Sequence, residues 1–142
     1  MSDITTIQPD PTQAEFMPYA PAVKVTGEVE TIYLSGQTAS LLYHRHPHIP
    51  EEHILPHDIE SQTRQVMENI KITLDHEGLT WRNIVRVDKY VTDIREADAM
   101  HGVMNEYFGD WRPAGTLLSV NNLSSPTARV ELTMIAIKPI DG

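Results

Sequence analysis

The sequence predicts an α+β fold in which two helices pack on one face of a mixed β-sheet. Its 142 residues, 40% of them apolar, are enough for one hydrophobic core, so we expect a single domain over residues 1–142. Segments with alternating apolar side chains predict strands, and two segments with apolar side chains at helical spacing predict helices. Along the chain they follow the order strand, strand, helix, strand, helix, strand, strand.

The N-terminal region is rich in proline, which predicts an extended lead-in over the first twenty-odd residues, since proline ends helices and interrupts central strands. The prolines concerned are Pro9, Pro11, Pro18 and Pro21. After them, Val23 and Val25 and then residues 31–35 have the pattern of two strands, with Gly27-Glu28 as a predicted hairpin turn between them. Residues 35–37 close the second strand.

The middle of the chain alternates helix and strand. Asp58 is a suitable N-cap for a helix that reaches about Glu77, where Gly78 follows as a stop signal. Residues 84–92 alternate as a strand. Asp93 and Glu96 have the spacing of a capping box that opens a second helix, which we expect to run to residue 109.

Two predicted strands, at about residues 115–120 and 129–138, complete the chain. The second is apolar on both faces, which indicates that both of its faces are covered. Two helices can cover only one face of the sheet, so the other face requires a different partner. Self-association is the simplest source of that cover, and we expect a homo-oligomer.

Composition excludes several classes of function. The chain has no cysteine, which removes disulfides, thiolate ligands and a cysteine nucleophile. Its formal charge of −9 repels phosphate backbones, so we expect no nucleic-acid partner. No segment approaches the roughly 20 apolar residues needed to span a bilayer, and the N-terminus lacks the pattern of a signal peptide. We therefore expect a cytoplasmic protein with no membrane partner.

A long loop at about residues 40–58 holds five of the seven histidines. In an extended segment His44, His46 and His48 would point to one side and could bind zinc or nickel, with Glu51 or Glu52 as an oxygen ligand. Pro47 and Pro50 disturb that alternation. We therefore expect no metal and no other cofactor, and interpret the loop as a lid that shapes a pocket, with a plain solvated loop as the alternative.

Several short segments, in order along almost the whole chain, resemble the RidA/YjgF family. The longest is Tyr-Phe-Gly-Asp-Trp-Arg-Pro-Ala-Gly-Thr at residues 107–116, which in the family leaves a helix, turns and enters a strand with an arginine. The others are Pro-Tyr-Ala-Pro-Ala-Val at 18–23, Tyr-Leu-Ser-Gly-Gln at 33–37, Glu-Asn-Ile-Lys at 68–71, Tyr-Val-Thr-Asp at 90–93 and Arg-Val-Glu-Leu at 129–132. The chain is identified as a member on this ordered set.

The resemblance implies a chorismate-mutase-like α+β subunit that forms a homotrimer, with clefts between subunits that take a small-molecule substrate. It also implies hydrolysis of a C–N bond in imines or enamines without a cofactor. Members are often described as endoribonucleases, a function that we set aside because of the charge. The substrate-binding positions that it places in the cleft are Tyr19, Ser35, Gly36, Gln37, Gly115, Thr116 and Thr133.

Three positions depart from the pattern that the resemblance implies. Gly115 stands where the family has the arginine that binds the substrate carboxylate, and Thr133 stands where it has a glutamate thought to orient water. His101 stands where the second helix usually offers an asparagine. A guanidinium binds a carboxylate through two charge-assisted hydrogen bonds, whereas glycine offers a backbone N–H and open space. We therefore expect a substrate other than a simple 2-imino acid.

Other side chains are candidates to replace what is missing. Arg112 is close in sequence but matches a common family arginine, so we interpret it as structural and expect Arg45 and His46 of the long loop to contact the substrate. His101 and Glu131 are the predicted catalytic residues, because each could transfer protons. The alternatives are a packed, hydrogen-bonded histidine for the first and a salt bridge inside the trimer for the second.

These observations predict a hydrolase that deaminates an imine, enamine or related compound in a degradation pathway. Two alternatives use the same parts. One is a ligand-binding trimer that has kept the clefts and lost the chemistry. The other is a tautomerase that acts on an enol-type substrate.

Overall fold

The computed structural model describes residues 1–140 and confirms the α+β class, with the predicted order of helices and strands and one additional strand at the N-terminus. The elements are β1 (Asp3–Ile7), β2 (Ala22–Thr26), β3 (Val29–Tyr33), α1 (Ile59–His76), β4 (Ile84–Val91), α2 (Ala97–Phe108), β5 (Ala114–Ser119) and β6 (Val130–Pro139). Short 3₁₀ helices connect several of them, among them Pro11–Phe16 and Pro50–His53. Within residues 1–140, no helix is both long and apolar enough to cross a bilayer.

The main sheet has four strands in the order β3-β6-β4-β5. β6 is antiparallel to both of its neighbours, while β4 and β5 are parallel. A parallel pair needs a crossover, and α2 lies between these two strands in the chain. Residues 107–116, the longest segment that resembles the family, lead from the end of α2 into the edge strand β5.

The hydrophobic core lies between the sheet and the two helices. Along β6, Val130, Leu132, Met134 and Ala136 are fully buried and belong to one cluster with apolar side chains of both helices. We call this side of the sheet the helix face. Because successive strand residues point to opposite sides, the alternate residues of β6 lie on the other side, which we call the open face. Glu131, Thr133 and Ile135 are only partly buried, as a face without a protein layer over it would be, whereas Ile137 near the end of the strand is buried.

Two predictions for the N-terminal region are wrong. Instead of an extended lead-in, residues 3–7 form β1, which precedes the first proline and pairs with β2 from Asp3↔Thr26 to Ile7↔Ala22. The predicted hairpin between β2 and β3 is also wrong, since β2 and β3 belong to different sheets. Gly27 does turn the chain, at a φ of 83° that favours glycine, but the two strands separate after the turn.

The helix starts are partly as predicted. Asp58 caps α1 by accepting a hydrogen bond of 2.8 Å from the backbone N–H of Ser61. Asp93, however, caps a single 3₁₀ turn, Ile94–Glu96, that precedes α2, so the predicted capping box is wrong. Glu96 pairs instead with Arg129 at 2.8 Å, and this ion pair ties the start of α2 to the start of β6.

Candidate functional site

A row of polar positions crosses the open face of the sheet. Thr133 of β6 pairs with Asp88 of β4, and Asp88 pairs with Thr116 of β5. Gly36, in the segment that follows β3, lies at the β6 end of the row: a Cβ built on it would touch the Glu131 carboxylate and lie 3.2 Å from the Thr133 hydroxyl. The row therefore brings four of the predicted site residues onto one surface: Gly36, Thr116, Glu131 and Thr133. Asp88, which lies between them, was not among the predicted residues.

The segment at residues 35–37 is held along β6 by its backbone. The Gln37 N–H donates to the Leu132 carbonyl at 2.9 Å, and the Leu132 N–H donates to the Gln37 carbonyl at 3.0 Å. Ser35 and Gly36 are exposed beside this bridge. Because glycine has no side chain, the Glu131 carboxylate can lie directly against the backbone of residue 36.

The β5 end of the row carries a cation. Arg86 of β4 donates to the Asp88 carboxylate at 3.2 Å and to the Thr116 hydroxyl at 3.2 Å. Its guanidinium is exposed and already paired with a carboxylate. The open face therefore combines two carboxylates, one guanidinium and two hydroxyls, and the guanidinium pairs with the Asp88 carboxylate.

Gly115 lies so close to β4 that it has no room for a side chain. It pairs with Val87, and a Cβ built on Gly115 would overlap the Val87 carbonyl oxygen. Real Cβ atoms do not approach backbone oxygens so closely, so glycine is required at this spacing of the strands. The expectation of open space beside Gly115 is wrong, because the neighbouring backbone fills it.

A cationic side chain and a histidine lie close together on the helix face of β4. Lys89, the next residue of β4 on the helix face after Val87, is only 5% exposed. Its Nζ is 3.0 Å from Nε2 of His101 on α2. A lysine ammonium can only donate, so Nε2 of His101 is the acceptor. The predicted site residue His101 is thus a hydrogen-bonded histidine whose partner is a buried amine.

The environment sets the charges of this pair. Burial, together with the positive charge of Arg112, lowers the pKa of Lys89 to about 8, although the negative charge of Asp88 opposes the shift. Burial, with the positive charge of Lys89, lowers the pKa of His101 to about 4. At neutral pH the lysine is therefore mainly charged and the histidine neutral, which is the combination that the hydrogen bond requires.

The pair borders a small cavity on the helix face. This cavity has a volume of about 10 Å³, which is room for roughly one water molecule. Its lining includes Lys89, His101, Pro18, Arg112 and Pro113. Trp111 and Arg112 separate this space from a larger cleft of about 420 Å³, on which Tyr19 lies.

Arg112 itself is held by backbone carbonyls, as the structural interpretation expects. Its guanidinium donates to Gly109 at 2.6 Å, to Trp111 at 3.0 Å and to Met17 at 3.2 Å. The last bond fixes the segment that carries Tyr19 over the small cavity.

The predicted site residues fall into separate groups in one chain. His101 and Gly115 lie on the helix-face side, near Lys89, whereas Glu131 and Thr133 lie on the open face. Arg45 and His46 are exposed in the long loop, where the Arg45 N–H donates to the Glu52 carboxylate at 2.7 Å. The sheet thus separates the two predicted catalytic residues, His101 and Glu131, within a single subunit.

Lys89 is the residue that sequence reasoning missed, although the pattern contains a signal for it. In β4, Val87, Lys89 and Val91 alternate on one face, and all three are buried. A lysine in such a series must be buried with a partner or interrupt the strand.

Comparison with known proteins places the chain among close structural and sequence relatives. The sequence profile of the family described as endoribonuclease L-PSP matches residues 11–138. A RutC family protein of Pyrococcus abyssi is 34% identical over 122 residues, covering 85% of this chain and 87% of the relative. A 2-iminobutanoate/2-iminopropanoate deaminase of Dermatophagoides farinae is 27% identical over 120 residues, covering 84% and 85%. The crystal structure of a YjgF/YER057c/UK114 family member from Mycobacterium tuberculosis superposes with a TM-score of 0.61 at 27% identity, covering 94% and 98%.

Proposed function

The chain belongs to the RidA/YjgF family, and from this premise we propose that it is a homotrimeric enzyme that hydrolyses the C–N bond of an imine or enamine. The observation that carries the proposal is the buried Lys89–His101 pair, two residues along β4 from Val87, which is the strand partner of Gly115. It supplies a cation on the strand that neighbours the position where the family has its arginine.

A site between subunits is supported by the separation of the two groups of residues. Glu131 and Thr133 on the open face cannot meet Lys89 and His101 through the sheet of their own chain. They can meet those of a second copy if the β5 edge of one subunit packs beside the open face of the next. That packing would also cover the apolar side chains of the open face, Tyr33 and Leu118, which are 77% and 49% exposed.

In this site Lys89 binds and protonates the substrate, and His101 positions the side-chain amine of Lys89. One N–H of the ammonium is used by His101, which leaves two for a substrate. The segment at residues 17–20 covers the cavity, held by the bond from Arg112 to Met17 and by the Ala20 N–H, which donates to the Pro113 carbonyl at 3.1 Å. We propose that this segment moves to admit the substrate.

The reaction can be written with every atom balanced. An enamine first tautomerises to the imine, losing one N–H proton while the adjacent carbon gains one. Water then bonds to the imine carbon while Glu131 of the adjacent subunit takes its proton and Lys89 gives a proton to the nitrogen, forming a carbinolamine. Glu131 then returns its proton to the nitrogen, and the C–N bond breaks. The hydroxyl proton passes to Lys89 as the carbonyl forms, so ammonia leaves and both side chains regain their starting states.

The substrate differs from a simple 2-imino acid because the binding cation is different. An ammonium is a point charge, so it cannot reproduce the two parallel bonds of a guanidinium to a carboxylate. It also arises from β4 rather than β5, which are separated by about 4.8 Å. We propose an imine or enamine whose acceptor group lies further from the C–N bond, such as a 3-amino-2-enoate.

Ammonia release from freshly generated substrates tests this proposal. We expect the wild type to accelerate release from 3-amino-2-enoates much more than from 2-imino acids made by an amino-acid oxidase. Glu131→Gln should lose most of the acceleration and keep its thermal stability. Equal or greater activity on 2-imino acids would contradict the altered pocket. Failure with every C–N substrate would contradict an enzyme of this class and favour the ligand-binding trimer.

A nucleic-acid function has less support, even though the family profile is described by an endoribonuclease activity. The net charge of −9 opposes RNA binding. We propose that the protein has no nucleic-acid partner, and RNA that remains intact after incubation with tag-free protein would agree with this.

A further inference from the structure

We propose that the long loop holds a structural zinc ion through four histidines, His44, His46, His48 and His53, which we call the histidine cluster. All four lie between Ser40 and Asp58, in a segment whose regular structure is the single turn Pro50–His53. The proposal does not depend on the function proposed above, since none of these residues lies in the polar row or beside Lys89.

The spacing of the four rings fits one tetrahedral ion. Ligand nitrogens of His44, His46 and His48 all lie within 4.8 Å of one another. Five pairs of rings in the cluster have centroids separated by 4.5 to 5.4 Å. Imidazoles bound to zinc at about 2.0–2.1 Å would have centroids about 5 Å apart. Side-chain rotations, above all that of His53, which lies outside the group of three, would bring the four nitrogens together.

Two of the histidines present a nitrogen that is prepared to bind a metal. Nδ1 of His44 lies 2.8 Å from the Leu41 carbonyl, which can only accept, so Nδ1 carries the proton and Nε2 is left with its lone pair. Nδ1 of His53 lies 3.0 Å from the Ser40 hydroxyl. Its Nε2 is buried and has no hydrogen-bond partner among residues 1–140, which costs free energy unless a ligand satisfies it.

The fourth ligand differs from the one suggested by the sequence. Glu52, one of the two predicted oxygen ligands, accepts a hydrogen bond from the Arg45 N–H and closes the loop. His53 supplies a nitrogen instead, so the donor set is four imidazoles. A full set of four protein ligands is typical of a structural zinc ion, whereas a catalytic ion keeps a position for water.

The ion would fix the loop to the body of the subunit. Ser40, which contacts His53, also accepts a hydrogen bond of 2.6 Å at its carbonyl from the Asn69 side chain on α1. Zinc in the cluster therefore links the loop through Ser40 to the core helix. This inference replaces the sequence-based expectation of a loop without metal.

Zinc content and calorimetry test the site with full-length protein made without a histidine tag. We expect about one zinc per chain after purification, and binding of zinc chloride to chelator-treated protein that is at least 100-fold weaker in His48→Ala and His53→Ala, consistent with the size of ligand-shell effects. His57→Ala is the matched control, because His57 lies in the same loop outside the cluster. Zinc should raise the melting temperature of the wild type and of His57→Ala only.

The same measurements can overturn the proposal. Equal zinc affinity in His57→Ala and His48→Ala would show that binding is not by the cluster. Substoichiometric zinc in purified protein together with weak calorimetric binding would show that the four imidazoles pack without an ion. Melting temperatures measured without metal separate a folding defect in a variant from a loss of zinc.

Discussion

The two faces of β4 each carry a charged side chain, but the surroundings of the two charges differ. On the open face Asp88 lies in a row of polar partners, where Arg86 neutralises it and water can reach the neighbouring Thr116. On the helix face Lys89 is 5% exposed, and its hydrogen-bonding neighbour in the described part of the chain is a histidine that carries no charge at neutral pH. Adjacent residues of one strand thus hold a compensated charge and an uncompensated one.

The difference between Asp88 and Lys89 indicates which face of β4 has a lower stability than it would have without a functional role. A compensated surface pair costs little and contributes little. A buried cation beside a neutral partner is costly, because desolvation penalises the charged form, and such perturbed groups are concentrated at functional sites. On this basis we propose that the helix face near Gly115 is the part of the subunit that binds a ligand, and that the open face supplies complementary groups.

The largest expected effect comes from removing the buried amine. Lys89→Met should lower the rate of ammonia release by about 100–1000-fold, the usual effect of losing one preorganised donor. The melting temperature should stay the same or rise, since an apolar side chain of similar length avoids the desolvation cost. Lys71→Met is the control, because Lys71 is an exposed lysine on α1. A structural Lys89 would instead give a large loss of stability with the activity per folded molecule unchanged.

The next effect concerns the contact between β4 and β5. Gly115→Ala should reduce the free energy of unfolding by about 1–3 kcal/mol, because its Cβ overlaps the Val87 carbonyl. Gly102→Ala is the matched control: a Cβ there meets no atom within 4 Å, and alanine should stabilise α2 by about 0.5–1 kcal/mol. Urea unfolding measures both. A neutral Gly115→Ala would mean that the strands separate easily and that a side chain is tolerated.

The smallest expected effect is a change in pH dependence. The pKa of His101 is lowered from 6.5 to about 4 in the folded chain, so the unfolded chain binds more protons between those values. Stability contributed by the neutral histidine should therefore fall as the pH decreases from about 6.5 towards 4. His101→Asn keeps an acceptor for Lys89 without this titration, so its melting temperature should depend less on pH in that range. Parallel curves for the two proteins would contradict the buried, neutral state of His101.

The sequence was sufficient for features that depend on local pattern. Helical spacing and the cap at Asp58 predicted α1 correctly, and alternation located β4 and β6. Partner choice was not predictable in the same way: Gly27 signals a reversal of the chain but does not say which strand will pair with β2. The order of β3 and β6 at one side of the sheet arises from packing between distant segments.

In the candidate site, too, contacts between distant segments could not be predicted from local sequence pattern. The departure at Gly115 and the position of His101 were visible in the sequence, but the absence of room at residue 115 depends on the approach of Val87 across two strands. The partnership of Lys89 and His101 depends on how α2 crosses the sheet. His53 joined the histidine cluster because a short 3₁₀ turn folds it back on the loop, which alternation alone does not predict.

The crowding at Gly115 also limits how this protein can change over generations or in the laboratory. An arginine could be introduced there only if the Val87 backbone moved away. We therefore expect Gly115→Arg to be strongly destabilised. Libraries intended to alter substrate preference should therefore vary positions 89 and 101 together and leave residue 115 untouched.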